Sequence, residues 1–314
     1  MKSLTVTLII PTYRPGEKFR QLIKGISRQT VAPEKVLILN TEEQFFHPED
    51  LEDLPQARVF HLAKEAFDHG GTRDWGAGMA DTDLLWFMTM DAIPADEYLL
   101  ENLKAAFENP VVGAAYACQL PNPDCNELEA YTRKFNYGAK SCIKSREDLE
   151  SLGIKTFFCS NVCAIYRRSD YVRLGGFEKC TIFNEDMIFA GKLVQDGRAI
   201  AYCADAKVFH SHNYSGVQQL KRNFDLGVSQ AEHPEIFRMA GSEQEGIRMV
   251  KETAGWLVRK RKLWLLPKLI WQSGCKFVGY RLGRNYRKLP LIVIRFCTMN
   301  LSYLEKGHRE NTFT

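Results

Sequence analysis

Apolar and polar positions follow two rhythms along this chain. Short continuous apolar runs at 5–10 (TVTLII), 35–39 (KVLIL), 58–62, 84–90 (LLWFMTM) and 112–118 have the pattern of strands buried on both faces. Between them Phe19, Leu22, Ile23 and Ile26, then Leu99, Leu100, Leu103 and Phe107, recur at helical spacing. Strand, loop, helix, strand is a βαβ unit. The class is therefore α/β, a mostly parallel central sheet flanked by helices, with its ligand face beyond the carboxyl ends of the strands. The first strand is expected to close at Pro11, and His69-Gly70-Gly71-Thr72-Arg73-Asp74 to lead into a helix over 75–80. Residues 121–152 are polar and read as an irregular excursion across that face. A strand within 156–166, a Gly175-Gly176 turn, a helix opened by Asn184-Glu185-Asp186 and two short strands at 199–203 and 206–210 follow. From Val217 onward the pattern is helical, dividing the chain into an α/β unit over 1–216 and a helical appendage over 217–314.

The 314 residues, 45% hydrophobic and 25% charged, suffice for a large core and exclude a disordered chain. Charge is unevenly spread. Residues 251–314 hold 14 Lys and Arg against 3 Asp and Glu, a local +11, so the net +4 leaves −7 for the first 250 residues. A basic end carrying Trp256, Trp264, Trp271 and Tyr280 behind an acidic body suits an anionic membrane surface, and charge confined to the last fifth argues against nucleic acid. Lys268 and Arg295 interrupt the two longest apolar stretches there, so the tail is expected to lie on a membrane rather than cross it. The early apolar run stops at Pro11 with no small-residue cleavage pattern after it, as a strand does and a signal peptide does not. Nine cysteines lack zinc-knuckle spacing and read as reduced thiols of a cytoplasmic protein.

Six clusters carry candidate chemistry: Pro11 to Arg14, Asn40-Thr41, His69 to Asp74, Asp91, Asn184-Glu185-Asp186 and His210-Ser211-His212. Asp91 ends an apolar strand and leaves through Ile93-Pro94, a place where a carboxylate can hold a hard cation against a phosphate. Glu185 and Asp186 suit the first turn of a helix, with Asn184 as its N-cap. His210 and His212 stand two apart on a strand and so face one side, as metal ligands need. The glycines match neither GxxxxGK[ST] nor GxGxxG.

Taken in order, TVTLIIPTYR, VLILNTE, HGGTRDWGAGMADTDLLWFMTMDAIP, SNVCAIYRRSDYVRLGGF, NEDMIFAGKLVQDGRAIAY and VFHSHNYS resemble the inverting family-2 glycosyltransferases of GT-A fold, over roughly residues 4–216. HxGTR, the DA(I/V)P strand end and the late HSHxY look like the bacterial rhamnosyltransferase branch. The resemblance implies that Pro11, Thr12, Tyr13 and Arg14, with Asn40 or Glu42, surround a nucleoside. It implies that Arg73 and Asp74 stand near the donor diphosphate and base, and that Met90 and Asp91 belong to the metal motif. Asp186, beside Glu185, is then the catalytic base, and His210 or His212 a further metal or diphosphate contact. Where many relatives have two acids, this chain has Thr89-Met90-Asp91, a single one. The implied cofactor is a divalent cation, Mg²⁺ or Mn²⁺. The implied reaction moves a sugar, L-rhamnose from dTDP-β-L-rhamnose, onto a lipid-linked saccharide in cell-surface polysaccharide synthesis, at the inner face of the cell membrane. A UDP-hexose or galactofuranose donor, or a non-catalytic binding protein of the same fold, are the alternatives.

Overall fold

The computed structural model describes residues 4–239 and 243–305. Its first half is built on β1 (Val6–Tyr13), α1 (Glu17–Ser27), β2 (Lys35–Thr41), β3 (Arg58–Leu62), α2 (His69–Gly78), β4 (Leu84–Met88), β5 (Ile93–Pro94), α3 (Leu99–Ala105) and β6 (Val112–Leu120). There follow α4 (Glu127–Asn136), β7 (Cys142–Lys144), α5 (Leu149–Leu152), β8 (Cys163–Arg167), α6 (Arg168–Arg173), α7 (Glu185–Gln195) and β9 (Ala199–Phe209). The C-terminal part is helical: α8 (Gly216–Glu232), α9 (Pro234–Phe237), α10 (Glu243–Arg259), α11 (Leu266–Arg284) and α12 (Leu291–Cys297).

One sheet runs β3-β2-β1-β4-β8-β6-β9-β5, with β7 also paired to β9. The first four strands are parallel, as are β6 and β9, while β8 enters antiparallel to both β4 and β6. Successive residues of the apolar runs go to opposite faces. Leu8, Ile10 and Trp86 join Phe19, Leu22, Ile23 and Ile26 of α1, whereas Ile9 and Phe87 join Tyr166, Phe177 and Phe189. Both faces are covered, which is why these strands read as uninterrupted apolar segments.

The structure departs from the sequence reading in several places. β1 does not close at Pro11 but continues to Tyr13, because Pro11, Thr12 and Tyr13 pair only with β2, β4 having diverged after Ile9↔Phe87. The helix expected from Trp75 begins six residues earlier at His69, since Asp68 caps it by accepting from the Gly71 N–H at 2.5 Å. Residues 121–152 are not irregular: Asn126 caps α4 by accepting from the Glu129 N–H, and β7 and α5 follow. The two expected last strands are one strand, β9, whose register against β6 jumps from Ala117↔Cys203 to Cys118↔Lys207 around a bulge.

α8 and α11 pack backbone to backbone. A Cβ at Gly279 would stand 2.1 Å from the Leu220 carbonyl oxygen, and one at Gly283 would stand 2.0 Å from that of Phe224. Phe224 and Val228 of α8 and Ile294 of α12 form a separate core under this contact. No helix among the described residues is long and apolar enough to cross a membrane. Gly283→Ala is expected to push the two helices apart and cost about 1–3 kcal/mol, read as a lower urea midpoint in equilibrium unfolding.

Candidate active site

The carboxyl ends of β1, β2 and β4 form one rim. Thr12 and Asn40 are register partners, and the Thr12 hydroxyl donates to Asn40 Oδ1 at 3.1 Å. Asn40 Nδ2 donates to the Glu42 carbonyl (3.2 Å) and to Nδ1 of His61 (3.1 Å). The Arg14 guanidinium lies over the rings of Phe45 (4.2 Å) and Tyr13 (5.2 Å), and the Tyr13 N–H donates to Met90 Sδ at 3.5 Å. Pro11 to Arg14, Asn40, Glu42 and Met90 thus share one wall, to which the structure adds Phe45 and His61. Arg14 and Glu42 hold positive φ, 50° and 61°, a conformation that costs an ordinary residue roughly 1 kcal/mol or more.

β4 ends at Met88. The Thr89 N–H donates to Val162 O and the Ala92 N–H to Thr89 O, turning the chain so that Ile93 pairs with Phe209 at the end of β9. That pairing brings Asp91 to His210 and His212, which lie just beyond the end of β9 rather than on a strand as expected. His210 Nε2 is 3.6 Å from Asp91 Oδ1, His212 Nε2 is 3.5 Å from Oδ2, and the two Nε2 atoms are 3.1 Å apart. His210 Nδ1 faces Gln119 Oε1 at 3.1 Å. Gln119 is oriented by Arg133 donating to the same oxygen and by its own Nε2 donating to Ser160 Oγ, so His210 carries its proton on Nδ1 and presents the Nε2 lone pair. Burial lowers the pKa of both histidines and keeps them neutral. Two imidazole nitrogens and a carboxylate oxygen lying within 4.8 Å of one another fit a divalent cation, and they make up for the missing second acid.

The second cluster sits where α2 meets α7. Arg73, one turn along α2 from His69, donates to the His69 carbonyl (2.9 Å) and pairs with Glu185 (3.2 Å); both charged side chains are buried. Gly70 permits this approach, since a Cβ there would lie 1.8 Å from the Glu178 carbonyl oxygen. Asn184 precedes α7 with φ 67°, and contrary to expectation its side chain does not cap the helix; it donates to Ser229 Oγ at 3.2 Å. Asn161 holds both acids, its Nδ2 donating to Glu185 Oε1 (3.2 Å) and its backbone N–H to Asp186 Oδ2 (3.0 Å). Asp186 Oδ1 accepts from the Met187 N–H at 2.8 Å.

Burial would raise the pKa of Glu185, but Arg73, His69 and Asn161 outweigh it and hold Glu185 below the usual carboxylate range. Burial and the neighbouring Glu185 charge push Asp186 the other way, up to about 7. Asp74 projects elsewhere, accepting from the Tyr171 hydroxyl (3.2 Å) and pairing with Lys179 (3.1 Å). Three buried polar atoms of these segments, Thr41 Oγ1, Thr89 Oγ1 and Arg73 Nε, have no partner among the described residues.

The two clusters are joined. From Asp91 the contacts run through His210 and Gln119 to Ser160, whose neighbour Asn161 carries Asp186. Sequence reasoning assigned nothing to Asn161, Gln119, Ser160, His61 or Phe45, although Asn161 lies inside the quoted SNVCAIY segment. Nor did it single out Arg222, whose charge acts on His69, His210 and His212.

The raised Asp186 makes folding pH-dependent. The folded protein keeps this proton to higher pH than the unfolded chain, which releases it near about 4, so stability falls as pH rises from there through the folded value. Glu185, lowered, contributes stability that is already complete above the carboxylate range. The melting temperature of Asp186→Asn, compared with the parent, is therefore expected to rise in the variant's favour between about pH 5 and pH 8; an unchanged difference across that interval contradicts the raised value.

Comparison with known proteins shows the family and the fold. Residues 7–175 match the family model for glycosyl transferase family 2. The chain is 40% identical over 302 residues to the O-antigen chain rhamnosyltransferase RfbN of Salmonella typhimurium, covering 96% of each. It is 38% identical over 303 residues to WbaN of Salmonella anatum, an O-antigen chain rhamnosyltransferase, covering 95% of each. Its fold is similar to that of a mannosyltransferase from Pyrobaculum calidifontis solved with GDP-Man and Mn²⁺, with a TM-score of 0.61 at 15% identity over 92% of this chain and 89% of the other. The chain belongs to glycosyl transferase family 2 and is a glycosyltransferase.

Proposed function

We propose that this glycosyltransferase moves L-rhamnose from dTDP-β-L-rhamnose, with inversion, onto a hydroxyl of a lipid-linked saccharide in cell-surface polysaccharide synthesis. The observation that carries the reading is the half-buried Asp186, held through Asn161 and Gln119 in one network with Asp91, His210 and His212. The names of the two Salmonella relatives support rhamnose as the sugar. In this reading Pro11, Thr12, Tyr13, Arg14, Asn40, Glu42 and Met90 enclose the nucleoside together with Phe45 and His61. Arg73 meets the diphosphate through its unpartnered Nε, and Asp74 holds α2 against the Tyr171 and Lys179 side chains.

Ionised Asp186 takes the acceptor hydroxyl's proton as the oxygen bonds to the anomeric carbon and the bond to the diphosphate breaks. One displacement inverts that centre. Burial that raises the pKa of Asp186 also makes it a stronger base than a solvated carboxylate, and general-base help of this kind gives about 10²–10⁴ in rate. A divalent cation held by Asp91, His210 and His212 would stabilise the charge developing on the diphosphate, and the two imidazoles favour Mn²⁺ over Mg²⁺.

The C-terminal helices support attachment to an anionic bilayer at its cytoplasmic face. Trp264, Ile270 and Trp271 are more than 60% exposed, near Lys260, Arg261, Lys262 and Lys268. Because α8 and α11 share a core, deleting the tail would unsettle the fold, and point changes are the cleaner test.

Incubation with a panel of sugar nucleotides is expected to release nucleoside diphosphate from dTDP-rhamnose, to lose that release in EDTA and to regain it with Mn²⁺; another preferred donor overturns the rhamnose assignment. Asp186→Asn should lower single-turnover transfer about 10²–10⁴-fold while leaving dTDP-rhamnose binding in place, and the parent's rate should climb with pH through neutrality as Asp186 ionises. Asp91→Ala should weaken donor binding and its response to metal. Trp264→Asp with Ile270→Asp is expected to abolish flotation with anionic liposomes; unchanged flotation removes the membrane assignment.

A further inference from the structure

A groove of about 630 Å³ lies between α8, α10 and α11, within the size range of small-molecule sites. Leu226, Ile247, Val250 and Phe277 give it apolar walls, and its two charged members, Lys251 and Lys276, are both lysines. Ile270, Gly274 and Phe277 follow one another at i, i+4 and i+7 along α11, so the groove opens onto the exposed apolar stripe proposed to meet the membrane.

Lys276 is half-buried and lines the groove from α11. Burial lowers its pKa, and it makes no hydrogen bond or ion pair with any described residue. The charges that act on it are Glu129, Arg133 and Arg222, and Glu129 is already paired with Arg133 at 2.7 Å. The same two arginines act on His210 and His212. Lys276 thus belongs to a surplus of positive charge between the apolar groove and the Asp91 cluster. An ammonium with unfilled donors beside apolar walls is stabilised by an anion, and the walls by a hydrocarbon chain.

We propose that the groove receives the hydrocarbon chain of the acceptor lipid and that Lys276, with Arg222, binds the phosphate joining this chain to the saccharide. The proposal rests on the reading that the acceptor is lipid-linked.

Calorimetric titration of the full chain with farnesyl phosphate, farnesol and inorganic phosphate, in EDTA to strip the Asp91 cluster of cations, tests it. Farnesyl phosphate is expected to bind about tenfold or more tightly than farnesol, and inorganic phosphate to give no measurable binding. Gly274 lines the groove and a Cβ there meets nothing within 4 Å; Gly274→Trp, placed to fill the groove, should weaken farnesyl phosphate and farnesol alike by about tenfold. Lys276→Met should reduce farnesyl phosphate to the level of farnesol and leave farnesol unchanged. Equal binding of farnesyl phosphate to the parent and Gly274→Trp overturns the proposal, as does sedimentation showing a dimer that Gly274→Trp dissociates. Binding of dTDP to the same variants is the control and should not change. Lipid binding in the groove together with turnover of a sugar nucleotide other than dTDP-rhamnose upholds the groove while rejecting the rhamnose assignment.

Discussion

Two adjacent carboxylates, Glu185 buried and Asp186 half-buried, share one nearby cation, and much of the site follows from that. At an effective dielectric of about 20, two like charges about 5 Å apart repel by roughly 3 kcal/mol, so simultaneous ionisation is costly before desolvation is added. Arg73 decides which acid is charged, since it pairs with Glu185 and leaves Asp186 two backbone N–H donors and a neighbouring negative charge. The geometry that secures this is itself demanding. Asn184 must adopt a left-handed conformation to open α7, and Gly70 must let α2 come within contact of the 178 backbone. The strain is borne beside the proposed base, and Asp186 remains a neutral acid at pH values where a surface aspartate is ionised.

The second constraint is the antiparallel entry of β8 between β4 and β6. A further parallel strand would send its carboxyl end to the rim. β8 instead begins there, so Ser160 and Asn161, just ahead of it, sit between the end of β4 and the start of α7. Ser160 accepts from Gln119 at the end of β6, and Gln119 sets the tautomer of His210. A single reversed strand therefore couples the orientation of the proposed cation ligands to the placement of the proposed base. Replacing Gln119 would disturb His210 without removing any ligand, which is how outer partners tune such sites.

Much of this was legible in the sequence where burial is two-sided. The β1, β2 and β4 segments are uninterrupted apolar runs, and Asp91, Asp186, His210 and His212 are residue types that phosphate and proton chemistry demand. What was missed has physical causes. His69-Gly70-Gly71 looks like a turn because glycine is a poor helix former, and only the Asp68 cap makes it a helix start. α4 buries just Leu128, so it lacks an apolar stripe despite a good N-cap. Asp205 breaks the apolar run of β9, although the strand passes it through a bulge. Asn161, Gln119 and Ser160 carry no periodicity and no charge; their roles arise from contacts 25 to 91 residues away in sequence.

The C-terminal helices turn the same physics outward, with glycines bringing α8 and α11 into backbone contact and the remaining apolar surface facing away from the core. The central claim, though, concerns the carboxylate pair. Infrared difference spectra of the parent against Asp186→Asn, recorded across pH, isolate the carboxyl stretch of this one side chain. A protonated-carboxyl band is expected to persist above about pH 5 and to disappear near pH 7; a band already absent at about pH 5, as for an ordinary aspartate, would mean that Glu185 and burial do not hold the proton on Asp186.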